Sequence, residues 1–487
     1  MKSSKKLISS LLIVLTALSA SCTDSAQPGG ETAGETTPEE TTKASEYQKP
    51  NVDYNGAVFT ILDYDTDDYF WHAATYSDIH ADEDNGDPIN DAQFKRNRQV
   101  EEELGITLET YPVSGSARNQ NQAELRKLIL AADNAVDAAF LFGADMNSIL
   151  AEDGMLIDWN SVPTMNLKSS WWDQNAIETF TFGKQLKVLT GDISLYSAFS
   201  PILLFFNKDV AEMYKINDMY DLVREGKWVN EKVYEYCRLV SDDLNGDGAM
   251  DENDRYGMAM QNGLIPDMLI SSGAKITKHN SQGQLELALM SEKNIDLQSR
   301  FYKFIHDKDS VCNASDYYSK YGNPFYELHI PMFANDQLLF NDNQILIAFE
   351  LRAMETDYGI LPTPKADESQ ENYCTSMSMS WETFLCIPAT NDRLEMTGHV
   401  VEALGYYSQQ YVTSEFIDTT VRTKALRDED SAEMLELILA NKTYDAALIY
   451  NWGNIKSIMA TENFASSYAS SESQIKAEMQ KTLDLLG

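Results

Sequence analysis

The chain has 487 residues, 43% of them hydrophobic and 10% aromatic, which is too long for one ordinary core and supplies material for two or three domains. Its 76 acidic residues outnumber 38 basic ones and give a formal net charge of −38. That balance disfavours nucleic acid, which needs a basic footprint, and electrostatic docking onto anionic lipid, and it suits a soluble protein that meets a cation or a neutral solute.

In chain order, Lys2, Lys5 and Lys6 precede an apolar run from Leu7 to Leu18, followed by LSASC ending at Cys22. The run is too short to span a bilayer and fits the core of a secretory signal peptide covering residues 1–21. Ser-Ala-Ser before Cys22 resembles a bacterial lipobox, in which the cysteine is lipidated and heads the mature chain. Ser19 stands where that box usually has Leu, and plain secretion is the alternative. Residues 22–50 then offer almost no large apolar group. They cannot bury enough surface to offset the entropy of ordering, and they predict a disordered tether with an end-to-end distance of about 30 Å.

The globular part begins near Tyr54. Ala57–Leu62, Ile106–Tyr111 and Val136–Phe142 read as strands; Asp91–Leu104, Gln122–Ala131 and Met146–Glu152 read as helices. Strand–helix alternation is the signature of a doubly wound sheet. The pattern restarts with strands at Leu186–Leu189 and Ile202–Phe206 and helices at Asp209–Tyr214 and Asn230–Val240. Strands at Tyr256–Met260, Gln344–Phe349, Tyr358–Leu361 and Phe384–Pro388, a helix at Leu394–Gln409 and a helical C-terminus complete it. Two α/β bodies follow, and the natural ligand site is the cleft outside the strands' carboxyl ends. Cys237 falls on the apolar side of its helix and reads as a buried thiol; a Cys374–Cys386 pair is left open.

Residues 243–254 read DLNGDGAMDEND. Side-chain oxygens at Asp243, Asn245, Asp247, Asp251 and Asp254, a backbone carbonyl at Ala249 and the glycine at 248 match the EF-hand spacing for Ca²⁺. Asp replaces the usual Glu at the twelfth position, which shortens its reach. The alternative is a polar turn. An ion at a helix–strand corner would be a structural staple. The six histidines show no metal-ligand spacing, so no catalytic zinc is expected.

Seven runs together resemble the extracellular family 1 solute-binding proteins of carbohydrate ABC transporters: GDPINDAQFKRNRQVEEELGI (86–106), WWDQ (171–174), LLFFNKDVAEMY (203–214), DMYDLVREGKW (218–228), DLNGDGAMDENDRYGM (243–258), METDYGILPTPKADESQ (354–370) and KTYDAAL (442–448). The resemblance implies an α/β, two-lobed periplasmic-binding-protein-like fold of type II, each lobe a mixed sheet flanked by helices. Laid on this chain, lobe 1 would hold 51–190 and 375–430, and lobe 2 would hold 191–374 and 431–487, with the first crossing near Thr190–Tyr196. It further implies a monomer on the outer face of a Gram-positive cell membrane. That monomer would capture a carbohydrate, pass it to the permease subunits of an importer, and catalyse nothing.

Sugar sites set aromatic faces against the C–H face of a pyranose and use carboxylates, amides and guanidinium groups for its hydroxyls. Positions after strand ends or at crossings predict Tyr69, Trp71, Asp145, Asp192, Tyr196, Glu350, Arg352, Trp381 and Trp452 as solute contacts. Trp171, Trp172 and Trp228 read as packing anchors. The competing classes are a secreted glycan hydrolase, which needs paired carboxylates, and a calcium-dependent adhesin, which would repeat its calcium loop.

Overall fold

Ala57–Tyr64 begins the first of two mixed sheets. A computed structural model describes residues 47–64, 76–81, 83–113, 119–422 and 429–486. The signal peptide, Cys22, most of the tether, Tyr69 and Trp71 lie outside the described residues.

The first sheet has the order Thr383–Cys386, Ala138–Phe142, Ala57–Tyr64, Ile106–Val113. Ala57–Tyr64 runs parallel to both neighbours, in register from Ala57 opposite Ile106 to Tyr64 opposite Val113. Thr383–Cys386 closes the other side antiparallel. AAFLF at 138–142 is buried at every position, as a strand covered on both faces must be. The helix Pro88–Leu104 links the first two strands. Asp87 caps it by accepting from the N–H of Ile89 and Asn90, and Gly105 ends it at φ 64°. A Cβ there would fall 2.1 Å from Asp53 Oδ1, so glycine is required twice over, by conformation and by space.

The second sheet has the order Val311–Asn313, Tyr256–Met260, Leu338–Gln344, Ile202–Asn207, Tyr358–Pro362. The first three strands are mutually parallel, and Ile202–Asn207 runs antiparallel to both of its neighbours. The chain leaves the first sheet after Leu189, which bridges to Leu385, and enters the second at Ile202. It returns between Pro362 and Thr383, and the two crossing segments bridge each other at Pro201 and Met377. Buried polar groups fix this junction. Thr190 Oγ1 donates to Glu382 at 2.9 Å, and Thr383 Oγ1 donates to Asp78 at 2.7 Å.

The expected helix Asn230–Val240 is found with those bounds, and Cys237 is buried on it. Two expectations are corrected. QILIAF is not a strand: Gln344 ends the strand Leu338–Gln344, and Ile345–Ala353 is a 3₁₀ helix. A short apolar run is consistent with either form, and the real strand carries the polar tail Asn341-Asp342-Asn343-Gln344, which looks like a loop. Leu186–Leu189 reduces to the two-residue strand Gln185–Leu186 and the single bridge at Leu189. Cys374 and Cys386 are both free thiols. Among the described residues no helix is long and apolar enough to cross a membrane.

Candidate functional site

The three parallel strands of the second sheet end on the same side, and a cleft of 530 Å³ opens beyond their carboxyl ends. This is where an α/β sheet offers space for a ligand, and the size is that of a small-molecule site. After Tyr256–Met260 the chain contributes Gln261, Leu264 and Asp267, the last from the helix Ile265–Ser271. After Val311–Asn313 it contributes Tyr318, Asn323, Phe325 and Tyr326. Gln344 ends the third strand. Ser378, Ser380 and Trp381 come from the returning crossing segment, so the cleft is walled by the second sheet and by the junction of the two.

Trp381 is held in place from behind. Its ring lies parallel to that of Tyr196, with centroids 6.1 Å apart, and meets Phe142 edge-on. Tyr196 is itself pinned by its hydroxyl, which donates to the Tyr76 carbonyl at 2.8 Å. Tyr318 is 54% exposed and offers apolar ring surface at the mouth. Phe325 and Tyr326 meet edge-on at 5.8 Å. Gln344 Nε2 donates to Ser378 Oγ at 3.3 Å, while its Oε1 is buried and unpaired. Among the described residues that line the cleft, Asp267 is the only charged one. Burial pushes its carboxyl up to about 6, against the Ser376 hydroxyl that donates to it at 2.7 Å. Among the described residues the arrangement combines aromatic faces, amides and hydroxyls with one acid and no basic side chain.

Of the sequence-predicted contacts, Trp381 lines this cleft. Tyr196 is buried and supports Trp381 from behind. Asp192 sits at the crossing, but its two oxygens accept from Gln409 Nε2 at 2.9 Å and Thr413 Oγ1 at 2.7 Å. It ties the crossing to the helical layer. Trp452 is 2% exposed, stacks on Tyr450 at 5.1 Å and donates to Thr482 Oγ1 at 2.9 Å; it is a core residue, not a sugar platform. Asp145 follows Ala138–Phe142 in a 3₁₀ turn and is half-buried. Glu350 and Arg352 lie on the 3₁₀ helix rather than after a strand. Trp171, Trp172 and Trp228 are buried; the first two donate to Glu402 and the third to the Pro362 carbonyl.

The sequence reading missed Gln261, Asp267, Tyr318, Phe325, Tyr326 and Gln344. The signal for the aromatics is the run YYSKYGNPFY at 317–326, which follows a strand of only three residues, VCN.

The acidic loop links Asn230–Val240 to Tyr256–Met260, and Asp242 bridges Arg255 across its neck. Asp243 accepts from the N–H of Gly246 and Gly248 at 2.7 and 2.8 Å, and Asp254 from those of Leu244 and Asp251 at 3.0 and 2.8 Å. Asn245, Asp247 and Asp251 each accept from a backbone N–H two residues on. Local amide dipoles therefore answer much of the repulsion that the sequence poses. Among the described residues no three His, Cys, Asp or Glu side chains converge on one point in a metal-holding geometry.

No family model matches the sequence, and no curated protein does. Solved structures do. An ABC substrate-binding protein of Listeria monocytogenes, in complex with cycloalternan, superposes with a TM-score of 0.54 at 13% identity, covering 88% of this chain and 98% of that one. An ABC transporter solute-binding protein of Thermotoga lettingae, bound with α-D-tagatose, gives 0.51 at 13%, covering 89% and 100%. UgpB of Mycobacterium tuberculosis, in complex with glycerophosphocholine, gives 0.52 at 15%, covering 82% and 96%. The fold is that of the ABC solute-binding proteins. At these identities the likeness establishes architecture alone.

Proposed function

We propose that the chain is the solute-binding component of an ABC importer and that it captures a carbohydrate, an oligosaccharide by the size of its cleft. The observation that carries this reading is the cleft itself. It lies outside the ends of three parallel strands, carries Trp381, Tyr318, Phe325 and Tyr326 together with Gln261, Asn323 and Gln344, and is walled on one side by the crossing segments. Aromatic faces suit the C–H face of a sugar ring, and amides and hydroxyls suit its hydroxyl groups. The structural neighbours that hold cycloalternan and tagatose support the same reading. The crossings at 189–202 and 362–383 are the places where two lobes would hinge and close on the solute, after which the monomer would hand it to permease subunits. Lipidated Cys22 and the tether would hold it at the outer face of a Gram-positive membrane.

The reading includes no turnover. A glycosidase sets two carboxyl groups on either side of the scissile bond, whereas among the described residues lining the cleft Asp267 is the one acid. Calcium belongs to the proposal as a structural ion in the loop 243–254. The all-oxygen donor set and its spacing support it, with Gly246 and Gly248 at φ 73° and 86° shaping the turn. A rise in melting temperature with millimolar Ca²⁺, reversed by chelator and lost in Asp243→Ala, tests it. An unchanged melting temperature leaves the loop as the hydrogen-bonded turn described above.

The test of function is isothermal titration against a panel of neutral and substituted oligosaccharides, with chromatography of the recovered sugar. Saturable binding with the sugar returned intact supports the reading. Release of new reducing ends contradicts it.

A further inference from the structure

The cleft has an inner chamber. Next to it lies a small cavity of 20 Å³ that shares Ile202, Leu264 and Asp267 with the cleft wall. That is room for one water-sized group. Much of its lining is apolar, including Leu204, Val233, Met258, Met260 and Phe304. Asp342 and Tyr234 also line it. Both are buried, and Asp342 Oδ1 and Tyr234 Oη have no hydrogen-bond partner. A buried polar atom left unpaired costs free energy, and two such atoms on one small cavity are uncommon in a folded protein.

Charge sharpens the picture. Lys456 attracts Asp267, whereas Asp342 feels the like charge of Asp267. Burial and that neighbour push the Asp342 carboxyl up to about 8. The cavity thus presents an acid on the cleft side, a second acid deeper in, and a phenol oxygen. A hydroxyl brings one donor and no charge. An ammonium group brings three donors and a positive charge in the same volume, and hydrogen bonds between charged partners are the stronger ones.

We propose that this inner cavity takes the ammonium group of an amino-bearing sugar, accepted by Asp267, Asp342 and the Tyr234 hydroxyl, so that the importer's solute is an amino sugar or an oligosaccharide containing one. The assignment rests on the sugar-binding reading of the cleft and narrows it. Neutral sugars lose the innermost contacts, and uronic or phosphorylated sugars meet repulsion from Asp267.

The test is isothermal titration of the full chain with matched pairs. These are glucosamine and glucose, galactosamine and galactose, mannosamine and mannose, and fully deacetylated chitotriose and cellotriose, all at pH 7. In at least one pair the amine-bearing member binds about tenfold tighter or more, the ratio that a charge-assisted hydrogen bond supplies, and in no pair is the order reversed. Asp342→Asn reduces that preference below about threefold. Tyr234→Phe, which keeps the ring in the core, lowers it by a smaller factor and covers the case in which the first variant does not fold. Neutral members bound as tightly as amines, or a preference that survives both substitutions, overturns the ammonium assignment while the sugar-importer reading stands. A wild-type chain that binds neither these pairs nor the wider oligosaccharide panel overturns both.

Discussion

Two acidic regions of this molecule look alike on paper and behave in opposite ways. The loop 243–254 gathers four aspartates at ligand spacing, yet each accepts a backbone N–H, and all but Asp254 keep contact with water. The inner chamber of the cleft holds only Asp267 and Asp342, but the deeper one has an oxygen with no partner, and burial raises both carboxyls. What separates the two is solvation, not the number of charges. Where amide dipoles and water reach the carboxylates, repulsion is absorbed locally. Where they do not, the acid stays protonated or waits for a cation.

Substitutions can break that comparison. The largest effect is expected in the cleft wall. Trp381→Ala removes a ring braced by Tyr196 and Phe142 and is expected to weaken solute binding by roughly 3 kcal/mol; titration checks this, and unchanged affinity would take Trp381 out of the site. Next comes Asp254→Ala. Asp254 is fully buried, and its loss strands the N–H groups of Leu244 and Asp251, which should destabilise the fold by about 2 kcal/mol, read by chemical denaturation. Asp342→Leu removes a buried acid without a full set of partners and should stabilise the solute-free chain by about 1 kcal/mol, the opposite sign to Asp254→Ala. Equal signs for the two would erase the contrast.

A smaller, graded effect is expected with pH. Burial raises Asp267 to about 6, Glu382 and Glu402 to about 7, and Asp342 to about 8. The folded chain therefore holds protons that the unfolded chain, with carboxyls near 4, has released. Stability must fall as pH rises between about 4 and 8. His329, held down to about 3 by burial, acts the other way below about 6.5, where the unfolded imidazole charges. The buried acids, Asp78 among them at about 8, outweigh the buried histidines across this range, so the melting temperature is expected to be highest near pH 4 and to decline toward pH 8. A peak above pH 7 would contradict the buried-acid account.

Much of the frame was legible in the sequence. The helix Asn230–Val240 showed its period, and the apolar run within Val136–Phe142 showed a buried strand. The cleft was harder to read because its determinants break local rules. The central strand ends in Asn-Asp-Asn-Gln, a polar run buried only because the sheet surrounds it. The strand that launches Tyr318 and Tyr326 has three residues, below what alternation can reveal. Trp452 had the right residue type and a plausible place, but only the packed structure shows Tyr450 and Thr482 consuming its ring face and its N–H.

A crystal structure of the chain soaked with mixed plant-fibre and amino-bearing oligosaccharides tests the central claim most directly. The account predicts an intact sugar between the second sheet and the crossing segment, against Trp381 and Tyr318, with any amine directed to Asp267. A sugar bound elsewhere on the surface, or one cleaved within the cleft, would contradict it.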